Sequence, residues 1–192
     1  MGQTRRANPV SARETILSAI RAAAVPPSPA APHVTGDIRA LNLLERFLQV
    51  LASVGGRGVS GDPTRSVNDL IAEIVTDLGV GDRADVVVVP GRCAVAENGS
   101  VYVDAADLRE RADIVRAEHL ILVVPHGALV PTMHDAVRLI PVESACGWFL
   151  SGPSKTADIE QSLVIGAQGA RTLHVVFDRE GREIELVVAP SA

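Results

Sequence analysis

The chain has 192 residues, a net charge of -5, 47% hydrophobic residues and only 3% aromatic residues. This length allows one globular domain with a tail, and the apolar content excludes disorder for most of the chain. An acidic chain with few aromatic side chains lacks the basic surface and the stacking groups that nucleic acid requires, so we expect no nucleic-acid partner. The apolar runs at 85–89 and 120–124 are too short to cross a bilayer, and no export signal is visible, so we expect a soluble cytoplasmic protein.

The two cysteines, Cys93 and Cys146, lie in no CxxC pair. They cannot by themselves build an iron–sulfur cluster or a tetrahedral zinc site, and we expect both to be small buried side chains in a reducing compartment. His126 and His134 are eight positions apart without a third ligand, so we expect packing or surface roles for them. The sequence therefore predicts no metal and no cofactor bound by this chain.

The first 36 residues form a separate region with four arginines and one glutamate, a net charge of +3 that leaves -8 for the remainder. Ser11 and Glu14 have the spacing of a capping box, which predicts a short helix whose apolar face carries Ile16, Leu17 and Ile20. Four prolines between 26 and 32 end this helix and form an extended linker. We interpret 1–36 as a docking arm rather than a transit peptide, and 37–192 as the main domain.

Beyond the arm, predicted helices and strands alternate. In chain order we expect helices over 38–54 and 66–78, a strand over 85–90, a hairpin over 93–103, a strand over 120–124, a helix over 132–139, a strand over 148–150, a helix over 156–165, and strands over 172–177 and 183–188. Asn98-Gly99 is a strong signal for a two-residue hairpin turn. This order favours an α/β fold with a mainly parallel sheet, covered by helices, and a small antiparallel element.

The segment 151–156 falls between a predicted strand and a predicted helix, where open α/β sheets bind ligands and free helix amides attract anions. A phosphate-binding P-loop is excluded because Pro153 occupies the position that requires lysine. Lys155, the single lysine of the chain, stands beside the predicted helix start. The alternative is that Ser154 or Thr156 only caps the helix. The candidate ligand contacts here are Ser151, Gly152, Pro153, Ser154, Lys155, Thr156 and Asp158.

The stretch SGPSKTADIEQSLVIG at 151–166, followed by Gly169 and LHVV at 173–176, resembles the LUD-domain family. AVAENGS at 94–100 resembles the hairpin motif of that family, with Asn98 where threonine is more usual. Together with the prolines at 125 and 131, the resemblance covers roughly 38–190. It implies a three-layer fold of the NagB/RpiA/CoA-transferase-like type.

The resemblance also implies a function in bacterial L-lactate utilization, the oxidation of L-lactate to pyruvate beside iron–sulfur partner proteins. This chain lacks the cysteine motifs of the iron–sulfur subunit, so we expect the clusters on partner subunits and a small anionic ligand at most on this one. The resemblance assigns no catalytic residue.

Glu97 stands in the hairpin motif. A glutamate is a covalent nucleophile in some members of the wider superfamily, but a glutamate beside a tight turn is more often solvated or paired with a neighbouring arginine, or it contacts a ligand or another motif. Its neighbours complete the hairpin candidates for ligand binding, which are Glu97, Asn98, Gly99 and Ser100.

Two other classes of function stay open from the sequence. One is a stand-alone binding protein or enzyme for a phosphorylated sugar or an acyl carrier, which the superfamily allows. The other is an assembly protein whose basic arm docks onto an acidic partner.

Deleting residues 1–34 is expected to leave the main domain folded, because the proline linker separates the arm from the core pattern. Thermal unfolding of the truncated and full chains measures this. A midpoint lowered by more than about 8 °C, which corresponds to roughly 2 kcal/mol or more at this size, would show that the arm belongs to the core.

Overall fold

The computed structural model describes residues 11–23, 42–60, 65–80, 86–141, 146–156 and 164–179. The chain divides into two compact units, Met1–Gly36 and Asp37–Ala192. In the first unit, helix α1 spans Ala12–Ala22 and begins with the predicted capping box. None of its residues is buried, and Ile16 and Ile20 are 59% and 62% exposed. The sequence prediction of this helix is confirmed, and its apolar face is uncovered within the described part of the chain.

The described residues of the second unit form four helices and ten strands, with short 3-10 helices at Ala105–Asp107 and His126–Ala128. The helices are α2 (Leu43–Ser53), α3 (Val67–Asp77), α4 (Asp113–Arg116) and α5 (Met133–Leu139). The strands are β1 (Arg57–Ser60), β2 (Val86–Pro90), β3 (Cys93–Val95), β4 (Ser100–Asp104), β5 (His119–Pro125), β6 (Leu129–Val130), β7 (Gly147–Leu150), β8 (Lys155–Thr156), β9 (Val164–Ile165) and β10 (Thr172–Asp178).

The central sheet, sheet 1, is parallel and has the strand order β1-β10-β5-β2. Strands β2, β5 and β10 are rich in valine and buried on both faces, as expected for parallel strands covered on two sides, whereas β1 is only partly buried. One face packs against α3, whose residues Leu70, Ile71 and Ile74 form a cluster with the alternate valines of β2. Ser66 starts α3 with the capping box that the sequence predicts.

The opposite face of sheet 1 packs against α2 and a second sheet. Sheet 2 has the order β6-β3-β4-β7, in which β3 and β4 form an antiparallel hairpin. Because successive side chains alternate between faces, Val101 and Val103 point toward sheet 1 while Tyr102 points toward α5. The core is thus an apolar layer between the two sheets.

The predicted mixed α/β fold, with a mainly parallel sheet and a small antiparallel element, is confirmed. Three details differ from the sequence prediction. The hairpin loop contains four residues, 96–99, rather than two, and β7 pairs with β4 in sheet 2. Helix α2 starts at Leu43, with Asn42 as its N-cap, while 38–41 and the predicted strand over 183–188 lie outside the described residues.

The helix predicted over 156–165 is wrong at both ends. Thr156 in β8 pairs with Val164 in β9 as antiparallel strands, and the intervening residues 157–163, Asp158 among them, lie outside the described part. Thr, Val and Ile are β-branched residues that favour extended backbone, and short apolar runs do not separate helix from strand by periodicity alone.

Cys93 is buried in sheet 2, and burial raises the pKa of its thiol. Cys146 is half-buried, and both cysteines are free thiols. Across the described ranges, no helix combines the length and the apolar character that crossing a membrane requires.

His174 gives a pH-dependent contribution to stability. It lies in β10, is 4% exposed, and its Nδ1 has no hydrogen-bond partner among the described residues. Burial, with Arg57 and His119 nearby, lowers the pKa of His174 below its ordinary value. The unfolded chain therefore binds the proton more readily, so the stability contributed by neutral His174 is lost as the pH falls below about 6.5.

We expect the free energy of unfolding, measured in urea, to be lower at pH 5.5 than at pH 7.5. The difference should shrink in His174→Leu, which removes the titrating group while keeping an apolar side chain in the core. An unchanged pH dependence in this variant would contradict the assignment.

Candidate functional site

The loop of the β3–β4 hairpin lies directly against α2. Asn98 Oδ1 accepts hydrogen bonds from the backbone N–H of Ser100 at 3.1 Å and from its Oγ at 2.6 Å. Gly99 has a φ of +66°, and a Cβ built there would lie 2.8 Å from the backbone nitrogen of Leu51. The asparagine closes the turn and the glycine allows its close approach to the helix.

Glu97 faces the other way, toward α5. Its Oε2 accepts a hydrogen bond from the backbone N–H of Met133 at 2.9 Å, and its own N–H donates to the carbonyl of Pro131 at 3.0 Å. A carboxylate at this position satisfies a free amide in the first turn of α5. The structure therefore gives Glu97 a contact between the hairpin and α5, through a backbone amide rather than an arginine, and ligand binding by Glu97 stays a prediction.

The segment 151–156 meets the same end of α2. Ser151 Oγ donates to the carbonyl oxygen of Asn98 at 2.9 Å, which joins the two sequence motifs directly. Gly152 has a φ of +72°, and a Cβ there would lie 2.5 Å from the carbonyl oxygen of Val54. The Nζ of Lys155 donates to that same carbonyl, at the C-terminus of α2 where a cation is favourable.

We call this contact region the α2 junction, defined as residues 50–55, 97–100 and 151–156. The described candidate ligand residues from both motifs lie in this region, and Asp158 lies outside the described residues. Lys155 and Thr156 form β8 rather than the start of a helix. The N–H of Ser154 donates to Ala170 and its carbonyl accepts from Gly166. Ligand binding by these residues stays a prediction, and many of their polar groups hold the junction together.

His119 and His126 contact neighbouring side chains, and His134 is exposed. The ring of His126 lies 6.3 Å from that of Phe177, and His119 Nδ1 shares a hydrogen bond with Thr172 Oγ1 at 2.9 Å. Within the ranges that the structure describes, no group of three His, Cys, Asp or Glu side chains is placed to hold a metal ion.

The sequence does not predict the ion-pair cluster that lies at the ends of β3 and β4. Arg92 binds both carboxylate oxygens of Asp107, at 2.6 Å and 2.9 Å, and lies 3.5 Å from the buried carboxylate of Asp104. The hydrogen bond to Asp107 raises the pKa of Arg92 above its ordinary value. Arg92 precedes the two aspartates by 12 and 15 positions and forms no motif with them, so the hairpin register brings it to them.

Two concave surfaces are present in the described part of the second unit. An open groove of about 890 Å³ is bordered by the loop after β9 and by the segment from Val115 to Glu118. A more enclosed cavity of about 200 Å³ lies beside β2, opposite Asp107, Leu108, Arg109 and Asp113. Neither surface includes a residue named in advance as a ligand contact.

Residues 80–177 match the model of the LUD domain. The match covers half of the chain and includes sheet 2, strands β2 and β5 and nearly all of β10 in sheet 1, the hairpin loop and the 151–156 segment. The chain therefore belongs to the LUD-domain family, as the resemblance of its motifs implies.

Several curated relatives are named lactate utilization protein C. The chain is 34% identical over 110 residues to "Lactate utilization protein C 1" of Bacillus mycoides, which covers 53% of this chain and 47% of the relative. The protein from Oceanobacillus iheyensis is 28% identical over 167 residues, 77% of this chain and 70% of the relative. The protein from Deinococcus radiodurans is 34% identical over 99 residues, 50% of this chain and 47% of the relative. The chain spans about half the length of the first curated relatives it matches.

A solved structure is similar as well. The crystal structure of a DUF162 family protein from Deinococcus radiodurans aligns with a TM-score of 0.51 and 19% identity, covering 71% of this chain and 96% of that one. At this identity the similarity supports the fold alone.

Gly99→Ala is expected to destabilise the protein more than Gly79→Ala. Both glycines have positive φ, at +66° and +60°, so both alanines carry the cost of a left-handed backbone, about 1–2 kcal/mol. At Gly79 a Cβ meets nothing within 4 Å, whereas at Gly99 it collides with the backbone of α2. Urea unfolding of both variants measures the difference, and equal losses would show that the hairpin loop does not press on the helix.

Proposed function

We propose that this chain is the cluster-free LUD subunit of a cytoplasmic L-lactate utilization system, which oxidises L-lactate to pyruvate together with iron–sulfur partner subunits. The observation that carries the proposal is the family match over 80–177, together with relatives at 28–34% identity that are named lactate utilization protein C. The hairpin motif and the 151–156 segment fall inside that match, and they meet at the α2 junction.

The assignment of the redox groups to partners follows from chemistry and sequence. Oxidation of a 2-hydroxy acid to a 2-oxo acid releases two electrons and two protons, so the system needs an electron acceptor. The chain has two cysteines, Cys93 and Cys146, too few to ligate a cluster through four thiolates. Cys93 is also buried, with a raised thiol pKa, which makes it a poor thiolate ligand.

The surface of the second unit offers apolar side chains for contact with partners. Val137 and Leu139 on α5 are 55% and 59% exposed, and Val115 beside the open groove is 56% exposed. Exposed large apolar groups of this kind are favourable at protein–protein interfaces. The arm offers a further contact surface. The apolar face of α1 is exposed, and the net charge of +3 on the arm favours an acidic partner.

We expect that deleting the gene in its host prevents growth on L-lactate as sole carbon source, while growth on pyruvate stays normal. Reintroducing the gene should restore growth. A tagged copy should copurify, from cells grown on L-lactate, with proteins that contain stoichiometric iron and acid-labile sulfide. Normal growth of the deletion strain on L-lactate would contradict the proposal.

A further inference from the structure

Helix α1 has an exposed apolar side. Ile16 and Ile20 are one helical turn apart and are 59% and 62% exposed, and Leu17 beside them is half-buried. None of the residues of α1 is buried. The helix therefore contributes no side chain to a core, and a contact that covers its apolar side would remove this surface from water.

The opposite side of α1 is polar. It carries Glu14, Ser18 and Arg21, all of which are exposed. Glu14 is held at the start of the helix, where its Oε2 accepts hydrogen bonds from the backbone N–H and the Oγ of Ser11, at 3.1 Å each. A basic helix with one apolar and one polar side is typical of helices that lie in the plane of a membrane surface.

The arm, residues 1–36, carries positive charge along its length. Its arginines are at positions 5, 6, 13 and 21, and with one glutamate they give the net charge of +3. Positive charge distributed in this way, before the helix and at both of its ends, suits a uniformly negative surface. A layer of anionic lipid headgroups is such a surface, whereas a protein groove offers carboxylates at a few fixed positions.

Arg13 lies on the apolar side of α1, one turn before Ile16 and Leu17, and it is exposed. An arginine stem is apolar and long, so it packs on neighbouring apolar side chains while the guanidinium reaches the headgroups. The position of Arg13 is therefore compatible with burial of the apolar side in a lipid interface.

The negative charge of the second unit opposes binding to an anionic surface, since residues 37–192 carry a net charge of -8. The prolines between 26 and 32 predict an extended linker, which at about 3.1 Å per residue spans about 20 Å. This length is more than twice the Debye length of about 8 Å at physiological salt. Screening over such a distance leaves the attraction of the arm largely intact.

From the exposed apolar side of α1 and the positive charge around it, we propose that the arm binds the surface of anionic lipid membranes. Ile16, Leu17 and Ile20 enter the boundary between headgroups and acyl chains, and the arginines pair with lipid phosphate and carboxylate groups. The attachment is peripheral and reversible. It does not depend on the proposed function, so vesicle binding and growth on L-lactate test different claims.

Cosedimentation of the full chain with lipid vesicles tests the proposal. The probe is vesicles of phosphatidylcholine that contain about 30% phosphatidylserine, and the comparison is vesicles of phosphatidylcholine alone. We expect at least about 10-fold tighter binding to the anionic vesicles, because each basic residue near such a surface contributes roughly 5-fold. Raising the salt from about 0.1 M to about 1 M, which shortens the Debye length from about 10 Å to about 3 Å, should remove most of this binding.

Variants of the full chain separate the two parts of the contact. Ile16→Ser combined with Ile20→Ser should weaken binding by at least about 10-fold, because serine removes the apolar side while its helix propensity is close to that of isoleucine. The matched control is Ala22→Ser, on the other side of α1, which should leave the affinity unchanged. Arg21→Gln should weaken binding about 5-fold, whereas Arg111→Gln, the same change at an exposed position of the second unit, should not.

The double serine variant should unfold at the same temperature as the wild-type protein, since α1 buries no residue. Any of three results would overturn the proposal: no binding of the wild-type chain to anionic vesicles at the lower salt, equal binding to both kinds of vesicle, or equal affinities of the double serine variant and Ala22→Ser. Self-association that the double serine variant loses, without vesicle binding, would assign the apolar side to a protein contact and overturn it as well.

Discussion

The second unit depends on the apolar layer that the two sheets and α2 bury between them. Phe47 and Leu51 of α2 are fully buried, and the ring of Phe47 meets that of Phe177 edge to face, with centroids 5.2 Å apart. Val101 and Val103 of β4 are also fully buried against this layer. Burial of one such side chain contributes about 1.5–3 kcal/mol, and edge-to-face contact of aromatic rings adds about 0.5–1.5 kcal/mol. Because strand side chains alternate, this layer also fixes which residues of the hairpin face inward.

The α2 junction follows from that constraint. Once Leu51 is locked in the core, the backbone of α2 around it becomes a fixed surface on which the hairpin loop and the 151–156 segment rest. Gly99 and Gly152 allow the two segments to approach this surface, and Lys155 bonds to the exposed end of the helix. The residues whose sequence resembles the family's motifs thus form contacts that hold the hairpin loop and the 151–156 segment against α2. These are packing contacts.

The sequence predicts the parts of the fold that have strong local signals. The capping boxes at Ser11 and Ser66 start helices where expected, and Asn98-Gly99 marks the hairpin. The helix predicted over 156–165 fails because proline and glycine boundaries suit short strands equally well. Strand β1 has a single large apolar residue, Val59, in four positions, so its sequence lacks the alternation of apolar and polar residues that predicts a strand. Its place in sheet 1 is set by α2 and β10 rather than by local preference.

The contacts of the candidate site are also only partly predictable from the sequence. Asn98 and Ser151 are both candidate residues from the sequence, but they are 53 positions apart and the sequence does not show that they are in contact. The cavity beside β2 is not predicted from the sequence, since the valines of β2 and the charged residues that line it are about 20 positions apart and form no motif.

The packing of the 151–156 segment on α2 is tested most directly by the stability of Gly152→Ala, because a Cβ there would lie 2.5 Å from the carbonyl oxygen of Val54. The free energy of unfolding measured in urea is predicted to fall by more than the roughly 1–2 kcal/mol that a left-handed alanine costs by itself. A loss within that range would contradict the close contact between the segment and the helix.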